Sequence, residues 1–304
     1  MGTHIAVLSN PFAGKGRARS DAAVAVARLR DRGCEVHEFA GTSAAETAEL
    51  AARALSAAPR ALLVVGGDGT LAGILPALRD SSVPIALVPA GTGNDLARAL
   101  GLARRNAADA ADLALDGVVR HVDVGEVSSA GRTTPFLTVA ALGFDAKVSD
   151  RTNRLRWPRG ALRYYLAVLI EVVRLHPMRF TVGVDERTPA ATVGTLVAVG
   201  NTSSYGGGMP ICPTAAPDDG QLDVVHVAPI GRVRLLRLFP LLLHGRHLSR
   251  PEVTHRRART VTVSAPGLVV YADGERIATD ECTIGVRTRA LSILVPATKA
   301  RPRD

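Results

Sequence analysis

Two apolar runs, each closed by a glycine-rich turn that carries an aspartate, set the strongest limit on how this chain can fold. Ala61 to Val65 leads into Gly66-Gly67-Asp68-Gly69-Thr70, and Val83 to Val88 leads into Pro89-Ala90-Gly91-Thr92-Gly93-Asn94-Asp95. A short unbroken apolar run that stops at turn residues reads as a buried parallel strand. Leu71 to Leu78 and Leu96 to Leu100, which follow the two turns, read as helices. Two strand ends then present glycine loops on one edge of one sheet. Glycine lets the backbone approach an anion closely, and the amides of a helix start favour phosphate. Asp68 and Asp95 beside such a cradle would repel phosphate unless a divalent cation stood between, so the pair points to a magnesium nucleotide. Either loop alone reads equally well as an ordinary turn; the two together favour phosphate.

The residues before and after these loops repeat the pattern. His4 to Leu8 reads as a strand, Asn10 to Gly16 as a glycine loop and Ala22 to Leu29 as a helix, the order that cradles phosphate. Lys15 could reach a phosphate oxygen, although the spacing GxxxxGK[ST] of a P-loop is absent. A second strand, Cys34 to Phe39, leads to Gly41-Thr42-Ser43, where Ser43 with Glu46 forms a capping box for a helix over Ala44 to Ala54. Strands and helices alternate to about residue 121, which predicts a doubly wound parallel sheet with its ligand outside the carboxyl ends of the strands. The loops after Leu8, Phe39, Val65 and Val88 all fall there.

From His121 the chain changes to short β-branched runs between turns: Val122 to Val127, Pro135 to Ala141, Arg179 to Val184, Val193 to Val199, Leu222 to Val227, Thr260 to Ser264, Val269 to Ala272 and Glu281 to Val286. Such a succession predicts an antiparallel β-sandwich. Helical stretches at Leu162 to Leu175 and from Val233 to between Leu243 and Leu248 interrupt it. In the second of these, arginines at 232, 234, 237, 246 and 250 surround seven large apolar residues, which fits a helix lying on anionic lipid or a buried helix with solvated ends; Pro240 interrupts it.

The loops carry a resemblance. Gly66 to Thr70 resembles the GGDGT signature of the diacylglycerol kinase, sphingosine kinase and bacterial lipid kinase family, which NAD kinases share. Asn10-Pro11-Phe12-Ala13-Gly14-Lys15-Gly16 resembles that lipid kinase family's NPxxGKG opening, and Pro89 to Arg98 its PxGTxNDxAR segment. With later motifs the likeness covers nearly the whole chain. It implies an ATP-dependent lipid kinase using Mg2+, in which the C-terminus returns as a strand near Ala290 to Pro296 to complete the first domain. The domains would then be 1–121 with 289–304, and 122–288. Asn10, Pro11, Phe12, Ala13, Gly14, Lys15, Gly66, Gly67, Asp68, Gly69, Thr70, Gly91, Thr92 and Asn94 are the implied nucleotide contacts. Thr42 resembles a nucleotide-contacting threonine and is otherwise an ordinary loop residue.

In the second half, Asp123 and Asp145 match family positions lining the lipid site, or are turn aspartates. Pro217 to Asp223 resembles a DDGxLD loop, in which Asp219 with the carbonyls of Ala216 and Gln221 would hold magnesium; a solvent turn is the plain alternative. Asp273-Gly274-Glu275 resembles the family's DGE turn, although Asp-Gly is also a favoured hairpin turn. The resemblance gives the base role to Glu275, with Asp273 as its neighbour, and has Asp68 and Asp95 orient the metal in a cleft between the domains. Two positions depart from the family: after GGDGT most members have Asn and Glu where this chain has Ala72 and Gly73.

Composition bounds the remaining readings. At 304 residues and 47% hydrophobic content the chain can bury a core, and its three cysteines, Cys34, Cys212 and Cys282, have neither disulfide nor zinc spacing. No signal peptide is evident and no apolar stretch reaches the ~20 residues of a membrane span, so a cytoplasmic protein at the inner membrane face is expected. The formal charge of +9 fits an anionic membrane surface or an arginine-rich composition without meaning; 4% aromatic content and no binding module speak against nucleic acid. A lipid substrate and a possible homodimer are the expected partners. An NAD kinase, or a nucleotide-binding regulator at membranes that does no chemistry, are the rival readings.

Overall fold

The computed structural model describes residues 3–297 apart from 80, 156, 159 and 160, with the side chains of 161 and 165 also left aside. The chain forms two compact units, Met1–Val122 with Arg289–Asp304, and Asp123–Thr288.

The first unit runs β1 (Ile5–Ser9), α1 (Arg17–Asp31), β2 (Val36–Ala40), α2 (Ala44–Ser56), β3 (Ala61–Gly66), α3 (Asp68–Leu78), β4 (Ile85–Pro89), α4 (Asp95–Ala99) and α5 (Ala107–Asp116). Its strands are parallel in the order β2-β1-β3-β4, with Ile293 of the returning C-terminal segment beside Ile85. Every residue of β1 and β3 is buried, because helices cover both faces of a parallel sheet. β2 is an edge strand with only Val36 and Phe39 half-buried and its other residues exposed. Ala18, Ala25, Val26 and Leu29 of α1 pack on Ile5, Val7, Leu63 and Val65 in one core cluster. Each large side chain fully buried there contributes about 1.5–3 kcal/mol relative to exposure. Ser9 lies level with Val65, and Gly66 with Pro89, so the loops after β1, β3 and β4 leave the sheet at one edge.

The second unit takes up β5 (Val118–Ser129) after its first residues and continues β6 (Arg132–Phe136), β7 (Val139–Gly143), α6 (Phe144–Arg154), α7 (Ala161–Val173), β8 (Met178–Val184), β9 (Ala190–Gly194), β10 (Leu196–Gly200), β11 (Leu222–Val227), α8 (Arg232–Leu243), β12 (Val253–Ala258), β13 (Thr260–Ala272) and β14 (Glu275–Val295), the last of which passes back into the first unit at Arg289. Its pairings are antiparallel, in the order β12-β11-β10-β7-β13-β14 with the hairpins β5-β6 and β8-β9 attached. One core cluster centres on Phe136, Phe180, Val197 and Val263; a second lies under α6, α7 and α8 around Val139, Val168, Leu196 and Leu235.

Several sequence-derived boundaries shift for identifiable reasons. The run Pro135 to Ala141 breaks into β6 and β7 because the amides of Leu137 and Thr138 donate to the Asp273 carboxylate and not to a ladder. Val193 to Val199 breaks at Thr195, whose hydroxyl donates to the Ala228 carbonyl at 2.9 Å and accepts from the Ile230 amide at 3.2 Å. Thr260 to Ser264 and Val269 to Ala272 instead form one strand, joined through an irregularity that contains Gly267 at φ 66°. Pro240 does not interrupt α8, which continues to Leu243. The helix ends there, and His247–Ser249 forms a separate 3₁₀ turn.

Candidate functional site

Three loops build an open concavity on the first unit. Asn10 and Ala13 from the loop after β1, Gly67 after β3 with Asp68 to Thr70 of the first turn of α3, and Gly91 to Gly93 from the loop after β4 line an open space of about 300 Å³. Gly14, Lys15 and Gly16 are all left-handed, with φ of 60°, 60° and 92°. A side chain at Gly14 would place its Cβ 1.9 Å from the Ala90 carbonyl oxygen, so glycine there is what lets the first loop lie against the third. Arg17 closes the same seam by donating to the Pro89 carbonyl at 3.2 Å. The second and third loops also meet backbone to backbone: a Cβ on Gly91 would stand 2.5 Å from the Gly67 Cα. Asn94 holds the third loop in shape, its Oδ1 accepting from the Gly91 amide and its Nδ2 donating to the Gly91 carbonyl, both at 3.0 Å.

Asp68 does two things at once. The residue lines the concavity, and its Oδ1 accepts the Leu96 amide at 3.3 Å, so it caps α4 across the interloop contact. Burial raises its pKa above the ordinary aspartate value, and the nearby Asp95 charge adds to the rise, while backbone amides of Asp95, Leu96 and Asn94 oppose it. Asp95 itself is buried, with Arg98 Nε at 3.7 Å. Of the other expected nucleotide contacts, Gly66 and Asn94 line a smaller recess behind the concavity. Lys15 and Phe12 are exposed, while Pro11 and Gly14 are half-buried. The Asn10 Oδ1 accepts the Phe12 amide at 3.1 Å. Thr42 stands apart: its amide and hydroxyl both donate to the Glu46 carboxylate, which they hold below the usual glutamate range. The capping box is thus displaced by one residue, since Ser43 accepts the Glu46 amide but Glu46 reaches back to Thr42. Gly93 also lines the concavity; its place in the third glycine loop was the available signal.

In the second unit the two acids of the β13–β14 turn separate cleanly. Asp273, at φ 49°, accepts the Leu137 amide at 2.7 Å, the Thr138 amide at 3.0 Å and the Thr138 hydroxyl at 2.6 Å. Its carboxylate anchors the turn. Glu275, two residues on, is exposed. The Gly274 carbonyl accepts from the Asn153 side chain at 3.0 Å, so α6 braces the same turn.

Asp123 is buried and organises the loop that follows Ala216. Its Oδ2 accepts the Gly220 amide and its own amide donates to the Pro217 carbonyl, both at 2.7 Å, while Asn201 donates to its carbonyl at 3.0 Å. Within that loop Asp219 accepts the Gln221 amide at 3.0 Å, and its other oxygen lies 3.3 Å from the Arg257 guanidinium. Arg257 also stands 3.7 Å from Asp223, which is fully buried and accepts from His255 at 2.6 Å. A carboxylate with the Ala216 and Gln221 carbonyls is a hard oxygen set of the kind magnesium takes. The guanidinium, however, already supplies positive charge between Asp219 and Asp223. Among the described residues no cluster of three or more His, Cys, Asp or Glu side chains forms a metal site. At the concavity Asp68 supplies a carboxylate, and magnesium is commonly held by one or two carboxylates together with phosphate oxygens and waters.

Asp145 occupies the first turn of α6 in the interior. Burial pushes its carboxyl up to about 6, against a hydrogen bond from Tyr205 that favours the ionised form. Its Oδ2 is buried without a hydrogen-bond partner.

Comparison with known proteins follows the same division. Residues 4–127 match the model of the diacylglycerol kinase catalytic domain, and residues 138–295 match that of the YegS C-terminal NAD kinase beta sandwich-like domain. A diacylglycerol kinase of Mycobacterium tuberculosis (strain H37Rv) is 42% identical over 293 residues, covering 96% of this chain and 95% of the relative. A Pseudomonas syringae pv. syringae (strain B728a) protein named "Probable lipid kinase YegS-like" is 33% identical over 291 residues, 93% of this chain and 92% of the relative. The fold is shared with a crystal structure of a diacylglycerol kinase from Bacillus anthracis str. Sterne, at a TM-score of 0.73 and 20% identity over 96% of each chain.

Proposed function

This chain belongs to the family of the diacylglycerol kinases and YegS-like lipid kinases, and from that premise we propose that it transfers the γ-phosphoryl group of ATP to the hydroxyl of a lipid such as diacylglycerol. The observation that carries the reading is the meeting of three glycine loops around the Asp68 carboxylate. Such loops offer backbone amides to a triphosphate, in the position where parallel α/β sheets bind their ligands. Asp68 would hold a magnesium ion bound with the nucleotide, which spreads the phosphate charge as transfer proceeds.

Glu275 is the proposed base. The Asp273 carboxylate is occupied by three donors, which leaves the exposed Glu275 as the acid of this turn able to accept a proton. In the transfer, the acceptor hydroxyl gives its proton to Glu275, its oxygen bonds to the γ-phosphorus, and the bond from that phosphorus to the β–γ bridging oxygen breaks to release ADP.

The test is an assay with γ-labelled ATP against diacylglycerol, sphingosine, phosphatidylglycerol and NAD. Label in the lipid phase supports the proposal and identifies the acceptor. Label in NAD favours an NAD kinase. Label in neither favours a nucleotide-binding regulator, a reading that Ala72 and Gly73 keep open because they lack the family's polar side chains.

A further inference from the structure

Glu275 stands at the tip of a hairpin that its own strand pairing does not orient. Ala272 pairs with Glu275 across a two-residue turn, in which Asp273 and Gly274 are both left-handed, at φ 49° and 87°, the form that follows the twist of paired antiparallel strands. Below the tip the register slips: Val270 pairs with Ala278 but Tyr271 with Arg276, so Ile277 is an extra residue on β14. A bulge of this kind bends its strand and re-aims the side chains beyond it. The pairs Tyr271 with Arg276 and Ala272 with Glu275 are all that separate the bulge from the turn. Contacts from outside the hairpin therefore set where the tip points.

Those contacts come from two sides. Asp273 ties the turn to Leu137 and Thr138. From the other side α6 presents Asp150 and Asn153, three residues apart and so on one helix face. Asp150 Oδ1 accepts the hydroxyl of the buried Tyr271 at 2.8 Å, and its Oδ2 lies 2.9 Å from Arg154 Nε. Asn153 Nδ2 donates to the Gly274 carbonyl at 3.0 Å. That last bond acts directly on the acid beside it. The Gly274 carbonyl and the Glu275 nitrogen belong to one planar peptide unit, so fixing the carbonyl fixes the plane from which the Glu275 side chain departs. Asn153 is exposed, and a hydrogen bond that water can replace adds little to stability.

We infer, on the reading of Glu275 as the base, that Asn153 is a positioning residue for it: through the Gly274 carbonyl it sets the direction of the Glu275 carboxylate, while the bond between Tyr271 and Asp150 holds α6 at the distance this requires. A base works only within hydrogen-bond reach of the proton it takes, so a small rotation of this peptide is felt in turnover.

The test is steady-state kinetics of the full chain with γ-labelled ATP and a short-chain diacylglycerol, alongside thermal denaturation. N153A should lower kcat by about tenfold or more, with KM for ATP and the melting temperature unchanged. N153D keeps the shape but loses the donor, and should fall as far. Y271F should lower kcat in the same way. The double variant N153A/E275Q should be no slower than E275Q alone, because Asn153 acts through Glu275. A slow E275Q enzyme beside an N153A enzyme at parental kcat overturns the inference and leaves the base in place. A double variant in which the two losses multiply, or a loss of kcat in N153A matched by a fall in melting temperature, also overturns it. E275Q at parental kcat removes the base itself, and the role of Asn153 with it.

Discussion

The Asp273 carboxylate is bound by Thr138 through both amide and hydroxyl, at 3.0 and 2.6 Å, so the first acid of the turn fastens β13 to the gap between β6 and β7. The second acid, Glu275, is exposed and is the proposed base, so the two should respond differently to the same change. E275Q is expected to lower kcat by at least about a hundredfold, the usual contribution of a positioned base, with no change in melting temperature. D273N should lower stability by about 1–3 kcal/mol, because charged hydrogen bonds to buried amides weaken. Thermal denaturation alongside steady-state kinetics separates them. A fully active E275Q enzyme would remove the base from the mechanism.

The contact between Gly67 and Gly91 makes a second prediction. G91A puts a methyl group 2.5 Å from the Gly67 Cα, so the two loops must part. Displacing the amides proposed to bind phosphate by a fraction of an ångström to an ångström is expected to cost on the order of a hundredfold in kcat/KM for ATP. Overpacking should also cost about 1–3 kcal/mol of stability. Titration of ATP binding by calorimetry checks the first effect directly; unchanged affinity in a folded G91A protein contradicts the cradle.

How far the sequence speaks for the structure depends on the kind of force involved. β1, β3 and β4 are legible because burial on both faces demands continuous apolar runs, and their glycine loops are legible because close backbone approach demands glycine. The second unit is less so. β12, Val-Thr-His-Arg-Arg-Ala, is an edge strand with mostly polar side chains and no apolar alternation. α6 buries only Asp145, Ala146 and Val148, too few to mark a periodic face. Capping of α4 by Asp68 joins a side chain to a helix that starts 27 residues later, and the Arg257 contact with Asp219 spans another strand; neither leaves a local pattern. The expected capping box came close, with only the return bond of Glu46 moved from Ser43 to Thr42.

Asp145 should give the fold a pH dependence. Its carboxyl is raised from 3.8 to about 6 in the folded chain, so the folded state holds a proton that the unfolded chain has already lost. The stabilisation is fully present below the unfolded value and is lost as pH rises through about 6. Above that pH the ionised, buried carboxylate costs on the order of 3 kcal/mol. D145N cannot ionise and keeps an acceptor for Tyr205. Relative to the parent it should gain melting temperature steadily from pH 4 to pH 7 and then run parallel. Identical pH profiles for the two proteins would show that Asp145 is ionised throughout.

Gly73 sits in the middle of α3, exposed, with open space where a Cβ would go. Nothing in the packing requires glycine there. G73A should therefore stabilise the chain by about 0.5–1 kcal/mol, the difference in helix propensity between the two residues. The same open space admits the glutamate that most family members carry, and Ala72 beside it is half-buried. A72N with G73E should fold with a melting temperature at or above that of the parent. If the missing polar side chains limit turnover, this double variant raises kcat for lipid phosphorylation while G73A alone does not. Equal kcat in all three proteins, measured with γ-labelled ATP at saturating lipid, would show that the loop and its Asp68 carboxylate work without them.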